Sequence, residues 1–551
     1  MKKYVFYTCL YFRFVLLLHK CYKSSSLETQ VMDRDQMLAE IKANAKIYDF
    51  IIIGGGATGI GIALDASARG YSVVLIDKSD FTKSTSSKST KLVHGGVRYL
   101  EQGNIGLVRE AVVERGLLAQ NAPHLVKNQP FIIPTHHFFE EVLYTIGLTF
   151  YDLLAGTLSM GRSKRISRKK TLQRISTINS KKVSAGVVYH DCQFDDTRLA
   201  INSLQTSVEM GALVANYCTV NALLKDPEGK IIGVKLTDEE KNDTIEIKGK
   251  QVVNATGVFA DHILQMDYPN ARKTIAPSQG VHLVLDKSFL PGNDAIMIPK
   301  TDDGRVLFLV PWHDKIVVGT TDTPVAEESL EPVALEEEIN FILSTTARYL
   351  TKIPKRSDVL SVFAGLRPLA AAKAEGKKTK EISRSHKIMA SESGLLTIIG
   401  GKWTTYRKMG EDLVDRAEKL QSWNQILSKS EHLKIHGYKL GVDYKNPLYF
   451  YGSDETEILE IAKENGMSEM ISTSLKINKA QVVWAVRNEM ARTAEDFLAR
   501  RTRCQLLDAR ESMRMAPQVA KIMAKELGKD EKWQLDQIAN YIKVTSNYIL
   551  N

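Results

Sequence analysis

Residues 48–77 open with a plain alternation of apolar runs and glycines: "YDFIIIGGGATGIGIALDASARGYSVVLID". Positions 50–53 are continuously apolar, as in a parallel strand buried on both faces. A helix then opens at the glycines and ends at Gly70, and a second strand over 72–76 is closed by Asp77. From 195 to 212 the pattern predicts a helix, with Asp195 or Asp196 near its cap. Short alternating strands follow, turned by "KDPEGK" (225–230). The strand in "KQVVNATGVFADHI" ends at Ala255-Thr256-Gly257. Between 275 and 395 the strands read as mostly antiparallel, with Asp302-Asp303-Gly304 as a hairpin signal. "GLLTIIGGKWTTYRKMGEDLVDRAEKL" returns to strand, glycine turn and helix. From about 430 onward the chain predicts an almost purely helical domain, with 478–503 its most periodic segment.

The turn Gly54-x-Gly56-x-x-Gly59 carries the first chemistry. One glycine makes the tight turn, one lets backbone reach a pyrophosphate, and one lets helix pack on strand. The helix N-terminus offers free N–H groups to that pyrophosphate, and Asp77 can accept from the adenosine ribose. By itself the motif does not separate FAD from NAD. The loop "STSSKSTKLVHGGVRYL" (84–100) does, because a nicotinamide domain would continue into another β-α unit there. Three strands, over 48–77, 250–257 and 395–410, end in small residues, so one extended cofactor can span all three. The last helix start, with Lys402, would then stabilise negative charge on a reduced isoalloxazine ring. Arg367 stands in an apolar stretch and needs an anionic partner, either an Asp of the fold or a substrate phosphate.

At 551 residues the chain suggests two or three domains, and an apolar fraction of 44% supports a sizeable core. Five scattered cysteines without a CxxC pair argue against zinc, iron–sulfur or disulfide frameworks, and fit a reducing cytoplasm. No metal is expected. The net charge of +10 is uneven: "RSKRISRKKTLQR" (162–174) holds seven Lys/Arg and no acid, after the apolar stretch 142–160. Such a pair resembles a surface lying on an anionic membrane, or else a buried helix followed by a solvated loop. "YVFYTCLYFRFVLLL" near the start is interrupted by Arg13 and too short to cross a bilayer. The readings are a true start at Met32 or a weak anchor, with residues 1–45 as an extension. No aromatic-rich basic surface or RNA module supports nucleic-acid binding.

"TSSKSTKLVHGGVRYLEQGN", "NATGVFAD", "GTTDT", "FAGLRPL" and "GGKWTTYRKMGEDL" together resemble the aerobic, membrane-associated FAD-dependent glycerol-3-phosphate dehydrogenases, related to the glycine and D-amino-acid oxidases. The resemblance covers about residues 46–545. It implies an α/β plus α+β fold: a Rossmann-like FAD-binding domain over 46–425, interleaved with an antiparallel-sheet substrate domain (mainly 110–185 and 275–395). A helical C-terminal cap over 430–551 follows. It implies oxidation of sn-glycerol 3-phosphate to dihydroxyacetone phosphate, with hydride to flavin N5 and electrons to a membrane quinone. Peripheral attachment to the inner face of the cytoplasmic membrane is also implied; a homodimer is compatible. The nearest alternatives are a glycerol-3-phosphate oxidase using dioxygen and, remotely, an FAD-containing RNA-modifying protein.

By the same resemblance His282 is the general base for the C2 hydroxyl, and Arg367 holds the C2 oxyanion or the phosphate. Arg98, Tyr99 and Lys402 complete the anion pocket, with Lys402 counted among the catalytic groups. FAD contacts are expected at Gly54, Gly56, Ala57, Thr58, Gly59, Asp77 and Lys78. Further contacts are expected at Ser87, Lys91, Leu92, Gly95, Gly96, Ala255, Gly257, Gly401, Lys402 and Thr404. His94 lines the flavin rather than acting as base.

Overall fold

The computed structural model describes residues 31–43, 46–97, 100, 103–301, 304–371 and 385–550. Met32–Asn551 forms one compact unit. The extension expected over 1–45 is therefore too long, because the helix Arg34–Ala43 belongs to this unit. Met37, Leu38 and Ile41 lie in its core. The buried Arg34 guanidinium meets Asp238 at 2.7 Å, a partner 204 residues away that no local pattern announces. The expected anchor segment in residues 1–30 lies outside the described residues.

The central sheet runs in the order Lys387–Ala390, Leu396–Ile399, Asp243–Asn254, Tyr48–Ile53, Val73–Ile76, Leu213–Ala215. Its neighbours are parallel except the first pair. The hairpin Cys218–Lys225 and Ile231–Asp238, turned where "KDPEGK" predicts, adds antiparallel to the first half of Asp243–Asn254. The second sheet has ten strands. Its centre is Ile275–Asp286, paired antiparallel with Val359–Ala370 along its length and with Lys315–Gly319. Val126–Thr135 and Ala185–Phe194 form a long antiparallel pair in the same sheet. Two boundaries are thus corrected. Lys387–Ala390 belongs to the cofactor sheet rather than the substrate part, and Ala185–Phe194 and Leu92–Val93 belong to the substrate sheet. Strand periodicity reports a face, not which sheet the strand joins.

Glycines draw distant segments together. A Cβ at Gly61 would stand 2.3 Å from the Tyr406 carbonyl oxygen, and one at Gly410 would stand 2.2 Å from that of Gly61. The helices Ala57–Ala68 and Tyr406–Leu420 therefore pack backbone to backbone, which fixes the late glycine turn beside the early one.

The C-terminal region is the expected helical domain, packed within the same compact unit. It also holds a small antiparallel pair, Met470–Ser472 with Ile477–Asn478. The periodic segment 478–503 is not one helix. It runs helical over Lys479–Asn488, breaks at Met490 (φ 54°), and resumes as a π-helical turn over Asp496–Arg501. This turn brings two arginines to Asp80, fully buried in the loop after Val73–Ile76: Arg501 donates to it at 2.8 and 2.9 Å, and Arg500 also donates to it. Burial raises the Asp80 pKa, but the two guanidiniums outweigh it and hold the carboxyl well below its usual range. That contribution to stability is complete above the ordinary carboxylate pKa and is lost as pH falls toward the folded-state value. Asp80→Ala leaves Arg501 without a carboxylate partner and is expected to cost about 3–5 kcal/mol. A lowered thermal midpoint checks this; an unchanged midpoint would show that the ion cluster does not join the two regions energetically.

Candidate active site

Two cavities meet at the C-terminal ends of the parallel strands. The first, of about 290 Å³, is lined by Gly54, Gly56, Ala57 and Thr58 from the first turn, by Asp77 and Lys78, and by Ala255, Thr256 and Gly257. Gly54 has φ +109°, and a Cβ there would meet the Ala255 carbonyl oxygen at 2.7 Å, so two strand ends close on each other only through glycine. The helix Ala57–Ala68 begins with no side-chain cap of its own, and its N–H groups open toward this space. The Ala57 N–H donates to Ser86 Oγ at 2.9 Å. Asp77 accepts from the Gly55 N–H at 2.7 Å and the Ser79 N–H at 2.8 Å. Burial nevertheless pushes its carboxyl up to about 6. The far end is apolar, formed by Val220, Val258, Ile263 and Met266, with Lys78 over the Phe259 ring at 4.1 Å.

The second cavity, of about 300 Å³, shares Thr85, Pro368, Gly400, Gly401, Lys402 and Trp403 with the first. Gly400 and Gly401 have φ of +76° and +77°, so the strand Leu396–Ile399 turns tightly and presents Lys402 to both spaces. The strand pairing then places two further groups. His282 pairs with Phe363, Gly280 with Gly365, and Ser278 with Arg367. Alternate residues share a face, so His282 and Arg367 stand on the same side of two neighbouring strands. The positions between them, Gly280 and Gly365, carry no side chain. The missing side chains make room for neighbours beside the second cavity, and the Lys88 stem lies over Gly365. The Arg367 guanidinium lies across Gly280, where a Cβ would meet Nη2 at 2.3 Å.

Arg367 donates to the carbonyl oxygens of Gln279 and Thr321 at 3.2 and 3.0 Å, and to Asp322 Oδ1 at 3.3 Å. Of its two expected partners, the fold supplies the carboxylate; the guanidinium still faces the cavity. His282 is buried, with Nε2 2.9 Å from Thr90 Oγ1 and its ring stacked on Phe363 at 4.9 Å. Among the described residues its Nδ1 has no hydrogen-bond partner. Burial, then the charges of Arg367 and Lys91, lower its pKa well below the ordinary histidine value, so the ring is neutral.

Residues 49–407 match the family of FAD dependent oxidoreductases, and residues 396–534 match the C-terminal domain of alpha-glycerophosphate oxidase. The mitochondrial glycerol-3-phosphate dehydrogenase of Saccharomyces cerevisiae is 36% identical over 93% of this chain and 92% of its own length. That of Mus musculus is 35% identical, over 93% and 74% respectively. The glycerol-3-phosphate dehydrogenase of Bacillus halodurans, solved in complex with FAD, superposes with a TM-score of 0.77 at 27% identity, covering 94% of this chain and 98% of its own. The chain belongs to the FAD-dependent glycerol-3-phosphate dehydrogenase family. FAD is its cofactor, and the residues present fit it: a glycine cradle, an uncapped helix N-terminus for the pyrophosphate, and Asp77 beside it.

Within this dehydrogenase fold the expected cofactor residues divide. Gly54, Gly56, Ala57, Thr58, Asp77, Lys78, Ala255 and Gly257 line the first cavity, and Gly401 and Lys402 line both. Leu92, Gly96 and Thr404 line the second, as does His94. Four expected contacts line neither. Gly59 serves packing instead, since a Cβ there would stand 1.9 Å from the Gly54 carbonyl oxygen. Lys91 is fully buried, with its ammonium held by Asp196 at 2.6 Å and the Ser87 carbonyl at 2.7 Å. The Ser87 hydroxyl turns back to the Ser84 carbonyl. Gly95 lies against Val112 and Tyr151. In a loop without periodicity nothing in the sequence tells inward residues from outward ones, and Lys91, Ser87 and Gly95 are among those the fold turns away from both cavities. Arg98 and Tyr99 lie outside the described residues. Sequence reasoning missed Ser86, Thr90 and Trp403, whose indole donates to the Ser86 carbonyl at 2.8 Å. It also missed Gly280 and Gly365, although the spacings Gly280-x-His282 and Gly365-x-Arg367 were a readable signal.

Proposed function

We propose that this chain oxidises sn-glycerol 3-phosphate at C2 to dihydroxyacetone phosphate and delivers the electrons to a membrane quinone. The observation that carries the reading is the pair His282 and Arg367 on one face of adjacent strands, both lining the cavity that adjoins the cofactor cradle at Lys402. When bound, FAD accepts the hydride from C2. His282, neutral and lining the cavity, takes the proton of the C2 hydroxyl. Part of its low basicity comes from neighbouring cations, and an arriving dianion offsets that part by raising the imidazole pKa. Arg367 stabilises the C2 oxygen as charge develops there. Lys402 and Arg305 add positive charge for the phosphate. The relatives named above are glycerol-3-phosphate dehydrogenases, which supports the same substrate here.

Anaerobic mixing of the purified holoenzyme with glycerol 3-phosphate tests the reading. Prompt bleaching of the flavin absorbance is expected, and an oxidised spectrum persisting at saturating substrate would overturn it. Stoichiometric peroxide without added quinone would assign dioxygen as the acceptor instead.

Peripheral attachment to a membrane, the inner face of the cytoplasmic membrane in this reading, is supported by the helix Phe138–Ala155. It buries Leu148, Tyr151 and Ala155 and exposes Phe139, Leu143, Ile146, Phe150 and Leu153, a single stripe at helical spacing. The exposed Lys164, Arg168, Lys169 and Lys170 follow it and suit anionic headgroups. Among the described residues no helix is long and apolar enough to cross a membrane. Leu143→Asp with Ile146→Asp is expected to weaken binding to anionic vesicles by at least about tenfold, from lost apolar burial. Turnover with a soluble acceptor should stay unchanged. Equal vesicle binding by this variant would detach the stripe from any membrane role.

A further inference from the structure

A third cleft, of about 130 Å³, lies between Lys127, the turn at His313 and Asp314, the segment 444–450 and residues 474–477 and 502–503. None of its lining residues lines the cofactor or substrate cavity. We infer that this cleft is a second anion site, one that takes a small phosphorylated polyol.

Charge is the first argument. Lys127, Lys445, Lys476 and Arg503 all line the cleft, and among the described residues Asp314 is the only acid on its wall. Lys476 pairs with Asp314 at 2.8 Å. Arg503, almost fully buried, pairs with Asp195 at 2.8 Å behind the wall. Among the described residues Lys127 and Lys445 have no ion-pair partner; the nearest group recorded for the Lys127 ammonium is the Tyr444 ring, 5.6 Å from its centroid. Burial lowers the Lys127 pKa, and Lys287 lowers it further. His313 adds no charge near neutral pH, because burial holds it at about 4. Four cations thus face two carboxylates, leaving about two positive charges uncompensated. A phosphomonoester carries about −1.5 to −2 at pH 7, which matches that excess.

Size and lining narrow the class. The cleft is less than half the volume of either larger cavity, which limits the ligand to a short carbon skeleton. The hydroxyls of Tyr449 and Ser474 and the face of Phe450 share its wall with the lysines. Hydroxyl groups next to cations suit a hydroxylated chain ending in phosphate. Unpaired like charges held close together repel, so filling the cleft with such an anion relieves a cost present in the empty fold.

Equilibrium dialysis of the holoenzyme against radiolabelled inorganic phosphate tests this. Wild type should show two sites. Lys127→Met with Lys445→Met should weaken one of them by at least about tenfold, the loss of charge-assisted hydrogen bonds, and leave turnover at saturating substrate unchanged. Arg367→Ala should weaken the other. Lys445→Met alone, at an exposed position, gives a smaller loss in the same site and guards against a folding defect in the double variant. A single site in wild type, or two unchanged sites in the double variant, would overturn the proposal. Glycerol 2-phosphate should displace phosphate from this site at lower concentrations than unlabelled phosphate does; equal potency would overturn the polyol assignment.

Discussion

Arg367→Ala should lower turnover by about 10²–10³-fold while the protein keeps its FAD. The guanidinium lies across Gly280 and faces the cavity, so it is in place before substrate arrives. Removing a preorganised donor leaves the developing charge on C2 oxygen without its main stabiliser. The fold itself should tolerate the change. Arg367 is on a strand paired along its whole length with Ile275–Asp286, and Asp322 keeps its bond from the Ser278 hydroxyl. Arg367→Lys should recover only part of the loss, because an ammonium cannot hold the Gln279 and Thr321 carbonyls, Asp322 and a substrate oxygen in the same fork geometry. Steady-state turnover and flavin absorbance per protein check both variants. Unimpaired turnover in Arg367→Ala would remove this residue from the chemistry.

Gly59→Ala should abolish FAD loading. A Cβ at this position would stand 1.9 Å from the carbonyl oxygen of Gly54, a backbone atom rather than a flexible side-chain end. Gly54 cannot retreat, because its own conformation at φ +109° is set by contact with Ala255. Either the helix lifts from the strand or the turn opens, and both spoil the N–H groups aimed at the pyrophosphate. Overpacking of well-packed interiors costs about 1–3 kcal/mol, and this contact involves backbone on both sides. Gly106→Ala is the matched control: nothing lies within 4 Å of its added Cβ, so full flavin content is expected. Full flavin content in Gly59→Ala would show that the turn can relax without losing its ligand.

The sites differ in how far they were legible, for physical reasons. The first turn was readable in nearly every residue because it is local: strand, glycines, helix and acid follow each other within thirty positions, and each has a separate steric or electrostatic duty. The capped helix beginning at Asp196 and the hairpin turn at 226–229 were readable on the same ground. The loop 84–100 was legible as a region and not residue by residue. Ser86 and Thr90 line the two cavities, while Lys91 turns inward to Asp196, because the choice depends on what lies opposite after folding. The turn over Asp496–Arg501 carries its arginines to Asp80, about four hundred residues earlier, a contact that helical periodicity cannot sense.

Sequence alone determined most of the elements, the cofactor class and the family. Those depend on neighbours along the chain, where propensity, glycine sterics and helix N-termini act over a few residues. Tertiary structure decided the rest: that Gly61 and Gly410 bring the two glycine turns together, that His282 and Arg367 share one face across Gly280 and Gly365, and that Lys127 and Arg503 line one separate cleft. Each of these depends on register or on close approach between segments distant in sequence. Only the packed chain sets the distances that burial and Coulomb interactions act upon.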